Sequence, residues 1–440
     1  MYCLLFSLLN HIRRQTVFFI IVLVLFGSGT YAATSNKDFF LYGDFIHKNN
    51  IRTVLFSQKD FELSDPIIRL NSNDKLILRF DDLDADYKHY SYTIIHCDAD
   101  WSVSDLRIYD YIDGFYEDEI RDFRFSINTR APFTHYYLEF PNHNMRPLRS
   151  GNYILKVFVN GDPNHVAFTR RFMVLEERLS IQGHVQQANL VRYRDRKQQL
   201  LFSINPGNYR ITNPYRDLKV VITQNGRWDN AIQDLMPRTI QGNTLLYDHE
   251  DKTLFEGGNE FRRFDIRSLR SLSERLQDIT SSRRHWDVFL TPDHRRVFHR
   301  YVSDDDINGR FMIETRDARD KHLEGDYAWV HFKLPMDAPP DKGYLYVMGA
   351  LTDWHLSEES KMNYNYGEKA YELSLLLKQG YYNYMYAYVE KEEGPVDVMF
   401  AEGSHSQTEN DYSIFVYHRE PGDLYDRLVG FMRMNSGVPR

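Results

Sequence analysis

Cysteine is almost missing: the chain has two in 440 residues, Cys3 and Cys97. Cys3 falls in an N-terminal leader, so the exported chain keeps one thiol, and a disulfide-stapled scaffold is excluded. No stretch is dominated by Pro, Ser or Gln, and no Gly/Ser-rich run exceeds a few residues. Wholesale disorder and long flexible tethers are therefore excluded. Positive charge is also short, 54 Lys and Arg against 62 Asp and Glu for a net −8. That balance argues against a general nucleic-acid binder, which needs a basic face to neutralise phosphates. The longest apolar run, Thr16–Phe26, has eleven residues, well short of the roughly 20 that a membrane-spanning helix requires.

What is present at the N-terminus has another logic. His11, Arg13 and Arg14 precede that apolar run, and Thr30-Tyr31-Ala32 supplies small residues for cleavage after Ala32. This is the layout of a secretory signal peptide over residues 1–32. Its removal takes away two of the 54 basic residues and none of the 62 acidic ones, leaving an acidic exported chain of net −10. No cysteine stands at the cleavage site to carry a lipid anchor.

Aromatic residues are abundant, with 31 Tyr, 29 Phe and 5 Trp, and they favour the half-buried pleated surface of strands. Short strand-like runs bounded by Asn, Asp, Gly or Pro recur along the chain. The expected fold class is all-β, a tandem array of immunoglobulin-like β-sandwich domains. The expected division is 33–175, an N-terminal sandwich; 176–324, a middle β-rich domain; 325–420, a C-terminal domain; and 421–440, a tail. In the first block, Tyr90, Tyr92 and Ile94 share a face, and Tyr153–Val159 reads as buried on both sides. The connection 98–132 between strands exceeds the roughly 15 residues typical of an upper limit for plain loops, and its aromatics predict order. Asn225-Gly226 predicts a tight hairpin, because both residues tolerate positive φ. Leu269, Leu272, Leu276 and Ile279 fit a short helix over 268–279, with a strand left open.

Chemistry-bearing patterns are few. Asp81, Asp82, Asp84 and Asp86 resemble the start of a calcium loop, but Tyr87 and Thr93 occupy the required Gly and Glu positions, so a solvated turn is the plainer reading. Asp304-Asp305-Asp306 reads the same way. His96 and Cys97 are adjacent on a strand and point to opposite faces, which prevents the imidazole from activating the thiol. No serine-hydrolase, zincin or phosphate-loop motif occurs. No catalytic residue, metal ligand or cofactor is expected. His294, Arg295, Arg296, His299 and Arg300 read as an exposed basic stretch. Tyr382, Tyr384, Tyr386 and Tyr388 share one strand face, either as cross-strand packing or as a ligand platform with Trp354.

Gly349-Ala350-Leu351-Thr352-Asp353-Trp354, followed by Lys378-Gln379-Gly380 and the Tyr strand, resembles the signatures of glycogen-binding modules of the early-set immunoglobulin type. That resemblance implies an early-set fold for 325–420 and a secondary reading as a periplasmic carbohydrate-binding protein using Trp354 and Tyr382–Tyr388. A second resemblance covers more of the chain. Tyr92–Trp101, Ser126–Thr129, Thr134-His135-Tyr136, Phe140-Pro141-Asn142, Ser150–Tyr153, Glu409–Tyr412 and Tyr425–Gly430 resemble the type IX secretion system plug protein family. It implies a non-enzymatic, monomeric periplasmic protein, without membrane insertion or nucleic acid, held at the outer membrane by its partner, the translocon barrel that it closes.

Overall fold

The computed structural model describes residues 43–391 and 394–437, and the expected leader lies outside them. Alternating apolar residues with intervening polar ones build strands throughout, and the result is three sandwiches within one compact unit.

The first sandwich uses Gly43 to Leu175. One sheet runs in the order Phe45–Ile46, Val166–Leu175, Gly151–Val159, Tyr90–Cys97 and Asp118–Glu119, with Ile67–Arg69 parallel to Val166–Leu175. The facing sheet holds Ile51–Gln58, Leu76–Asp82, Thr134–Phe140 and Asp122–Phe125 in that order. Tyr90, Tyr92 and Ile94 point inward as the period of two predicts, and meet a facing layer of Phe80, Tyr136 and Phe140. The Phe80 ring stacks on Tyr136 at 5.0 Å and meets Tyr90 edge-on at 5.1 Å, the offset and edge geometries that aromatic quadrupoles favour. Gly151–Val159 is central in its sheet, and all its residues except Lys156 are buried.

The middle sandwich takes Ser180–Gln187, Lys197–Asn205, Thr239–Gln241, Thr244–Tyr247 and Leu254–Glu256 into one sheet. Its second sheet is Arg227–Ile232, Leu218–Gln224, Asp411–His418 and Arg427–Asn435. Asn225 and Gly226 adopt φ of 55° and 73°, the positive values a two-residue hairpin demands. The third sandwich pairs Arg262–Asp265, Phe311–Ile313 and Tyr344–Met348 with Gly380–Val389, and packs this layer on Leu276–Ser281, Trp286–Leu290, Tyr327–Pro335, Ala370–Lys378 and Asn363–Asn365.

The pairing departs from a linear division at 176–324, 325–420 and 421–440. The chain enters the third sandwich by Arg262 and returns at Asp411 to complete the middle one, and the expected tail supplies the strand Arg427–Asn435. Alternation fixes which face of a strand is buried; it carries no information about which distant strand lies beside it. Leu276–Ser281 is a strand, with no helix over 268–279.

Candidate interaction site

The aromatic residues proposed from sequence as a ligand surface occupy other places. Tyr382, Tyr384 and Tyr386 do share one face, but it is the buried face of the third core. The Tyr384 and Tyr386 hydroxyls both donate to Asp293 Oδ2, at 2.6 and 2.7 Å. Arg262 closes this cluster, donating to Asp293 at 2.7 Å and Glu402 at 3.0 Å. Burial raises the Glu402 carboxyl, but Arg262 and Arg296 outweigh it and hold it at about 2. These tyrosines satisfy buried charge and present no open stacking face. Trp354 is half-buried, edge-on to Phe261 at 5.9 Å and under the Arg227 guanidinium. It borders a cavity of about 200 Å³ at the junction of the sandwiches, together with Trp228, Arg170, Arg310 and Asp353.

The acidic run is also relocated. Asp81 and Asp82 are buried, where a solvated turn was expected. Asp81 accepts Lys378 Nζ, Tyr327 Oη and His135 Nδ1, each at 2.7 Å. Burial raises its carboxyl, yet Lys378 and His135 prevail and keep it below the ordinary value. Asp82 accepts from Lys88, Asn50 and Tyr90, and Lys88 also reaches Asp84 and Asp86. A lysine thus stands where a cation was considered. Asp306 likewise turns inward to the backbone N–H groups of Phe261 and Asn308, and burial pushes its carboxyl up to about 7. Among the described residues no cluster of His, Cys, Asp and Glu has the arrangement of a metal site. Cys97 is buried and free, and burial pushes its thiol up to about 12. His96 is buried beside it, bonded to Ser104 Oγ and the Ser150 carbonyl, and burial lowers it to about 4.

The sandwiches meet through buried and half-buried polar contacts. Asp81–Lys378 and Arg170–Asp353 join the first to the third. Asp326 accepts the backbone N–H of Arg130 and Ala131 and the Trp286 indole N–H. Asp426 accepts the Ala99 N–H and Lys219 Nζ, Arg419 donates to Asp98, and Tyr417 donates to Asn152, joining the first sandwich to the middle one.

The remaining unusual surface is the connection 98–132. It is ordered, as its aromatics predicted, into the short helix Ile108–Tyr111 and the strands Ile112–Gly114, Asp118–Glu119 and Asp122–Phe125. Seven of the 22 large hydrophobic side chains exposed on the described residues lie in these 35 positions: Val103, Tyr109, Phe115, Tyr116, Phe123, Phe125 and Ile127. Phe115 is 61% exposed. Asp122–Phe125 is the outer strand of its sheet, with all four residues exposed, and Tyr87 packs on Phe123 at 4.8 Å. Phe123 also touches the core ring of Tyr136 at 5.9 Å, while Phe125 beside it is 53% exposed.

The described residues form an all-β, multi-sandwich protein with its exposed aromatics concentrated at 98–132. The comparisons give the family. The type 9 secretion system plug protein 1st domain matches residues 51–176. A crystal structure of a hypothetical protein from Parabacteroides merdae ATCC 43184 is 36% identical, with a TM-score of 0.86, covering 89% of this chain and 99% of that one. No curated protein matches. The chain belongs to the type 9 secretion system plug protein family, a structural rather than enzymatic family of the secretion apparatus. Among the described residues, no helix is long and apolar enough to cross a membrane.

Proposed function

We propose that this protein is a monomeric, non-enzymatic periplasmic stopper that docks on the outer-membrane translocon of the type IX secretion system and closes it. The observation that carries this reading is the concentration of exposed aromatics at 98–132, inside the domain that matches the plug family. A pore wide enough for folded cargo leaks unless a stiff body covers it. A reversible cover needs a modest interface with a few aromatic anchors and a polar rim. Phe115, Tyr116, Phe123 and Phe125 supply such anchors, and Glu117, Asp122 and Arg124 lie between them.

The test is in-cell photocrosslinking from position 115 or 125, with a matched probe at exposed Tyr366 in the third sandwich. Crosslinks from 115 and 125, but not 366, to a very large outer-membrane barrel are expected. Adducts with unrelated soluble proteins alone would reject the proposal.

A further inference from the structure

A second surface, remote in sequence from 98–132, combines isolated apolar tips with unpaired arginines. On the turn between Ser180–Gln187 and Lys197–Asn205, Val191 is 78% exposed, flanked by exposed Arg192, Arg194 and Arg196. On the loop after Trp286–Leu290, Phe298 is 93% exposed and Val302 72%, flanked by exposed Arg295, His299 and Arg300. No other phenylalanine in the described residues is as bare as Phe298.

The two loops are neighbours. A Cβ added to Gly403 would lie 3.3 Å from Val297 Cα, while the next residue, Ser404, donates its hydroxyl to the Arg196 carbonyl at 2.7 Å. On the same strip, the His405 ring lies 5.7 Å from the Tyr301 ring. Gly403 to His405 therefore brings the bases of the two loops together.

Its charge is only partly offset locally. Arg192, Arg194, Arg196, Arg295 and Arg300 make no ion pair among the described residues. Arg192 and Arg196 lie over the Tyr193 ring, and Arg295 donates to the Phe400 carbonyl. Asp195 on the first loop and Asp305 on the second are exposed carboxylates, whereas Asp304 pairs with Arg263 and Asp306 faces inward. A cationic patch on a chain of net −8 is a local feature, not a by-product of composition.

We infer that this patch rests on an anionic phospholipid surface, with Phe298 and Val191 entering the headgroup layer and the arginines meeting lipid phosphates. Two separate protruding tips rimmed by arginine suit a soft interface, which admits single side chains and gains from each nearby cation. A protein partner of standard size instead needs about 800 Å² of fitted surface on each side.

The experiment is cosedimentation of the full exported chain with vesicles of phosphatidylglycerol and phosphatidylethanolamine, against vesicles of phosphatidylcholine alone. Binding to the anionic vesicles only, weakened by raised salt, is expected. Arg192→Glu and Arg300→Glu should each lower the partition by at least about fivefold, from the contribution of one cation at an anionic membrane. Phe298→Ser should lower it while leaving the circular dichroism spectrum and melting midpoint unchanged. Phe125→Ser should leave vesicle binding intact, which separates this inference from translocon docking. Failure to bind anionic vesicles at low salt, equal binding to both vesicle types, or binding indifferent to all three loop substitutions would overturn it. Capture by immobilised polyglutamate without vesicle binding would also overturn it, assigning the patch to an acidic protein.

Discussion

Replacing Lys378 with methionine tests the bond between the first and third sandwiches. Lys378 and Asp81 are each 1% exposed, and the ammonium lies 2.7 Å from the carboxylate and 4.0 Å from the Phe133 ring centroid. Methionine keeps most of the stem packing and removes the charge. Asp81 is then left with Tyr327 and His135 as partners. Stranding one member of a buried pair typically costs about 3–5 kcal/mol, whereas removing both members is much milder. Lys378→Met should therefore lose about 3–5 kcal/mol in urea unfolding at pH 7.5, followed by tryptophan fluorescence at constant slope. Asp81→Asn strands the ammonium and should cost a similar amount. Asp81→Asn/Lys378→Met should recover at least about 2 kcal/mol relative to the sum of the single losses. A loss below about 1 kcal/mol for Lys378→Met, or strict additivity in the double variant, would refute the claim that this pair is a dry, mutually dependent link.

Three further outcomes follow from buried groups. His96 stays neutral in the fold down to about pH 4, against an ordinary value of 6.5; the unfolded chain takes up that proton first, so this stability is present above pH 6.5 and drains away as pH falls towards 4. The loss at pH 5 should be about 2 kcal/mol, and urea titrations of the parent and His96→Gln with identical pH slopes would contradict it. Cys97, with its thiol pushed up to about 12, should resist a thiol reagent in native buffer and react stoichiometrically in guanidinium; fast native labelling would show that it is not buried. Arg262→Met should cost about 1–3 kcal/mol, because Asp293 and Glu402 lose their shared cation but keep Arg275 and Arg296, and an unchanged unfolding midpoint would count against that network.

The sequence-based strands at 76–80, 90–96, 134–140, 153–159 and 166–175 lie within observed strands because a buried face imposes its period on each one locally. The Asn225-Gly226 turn was legible because it depends on two residues alone. Partnership was not. Asp411–His418 pairs with Leu218–Gln224 across nearly 200 residues, and nothing in either run names the other. The same gap hid the burial of Asp81, whose cation is 297 positions away. The tyrosine face at 382, 384 and 386 was read with the correct period, but alternation cannot distinguish a core face from an open one when the covering residues, Asp293 and Arg262, arrive from elsewhere. The aromatic connection 98–132 was singled out by length and composition, and its exposure was the part that only the fold could reveal.

The way the sandwiches are joined bears on how the proposed stopper would work. Apolar interfaces tolerate sliding, since one methyl contact replaces another at small cost. Ionic and hydrogen-bonded contacts behave differently, because displacing Asp81 from Lys378 parts a buried charge from its counter-ion, and moving Asp426 off the Ala99 N–H leaves that donor unsatisfied. Intermediate positions between docked and separated sandwiches are therefore high in free energy, and the described body moves as one piece unless several such bonds break together. A load applied at 98–132 is then shared with the other two sandwiches rather than absorbed by a hinge. Release of such a body from its seat is controlled by the seat's own contacts, so Phe115→Ala and Phe125→Ala should shorten residence on the barrel without lowering the urea midpoint, whereas Lys378→Met should lower the midpoint.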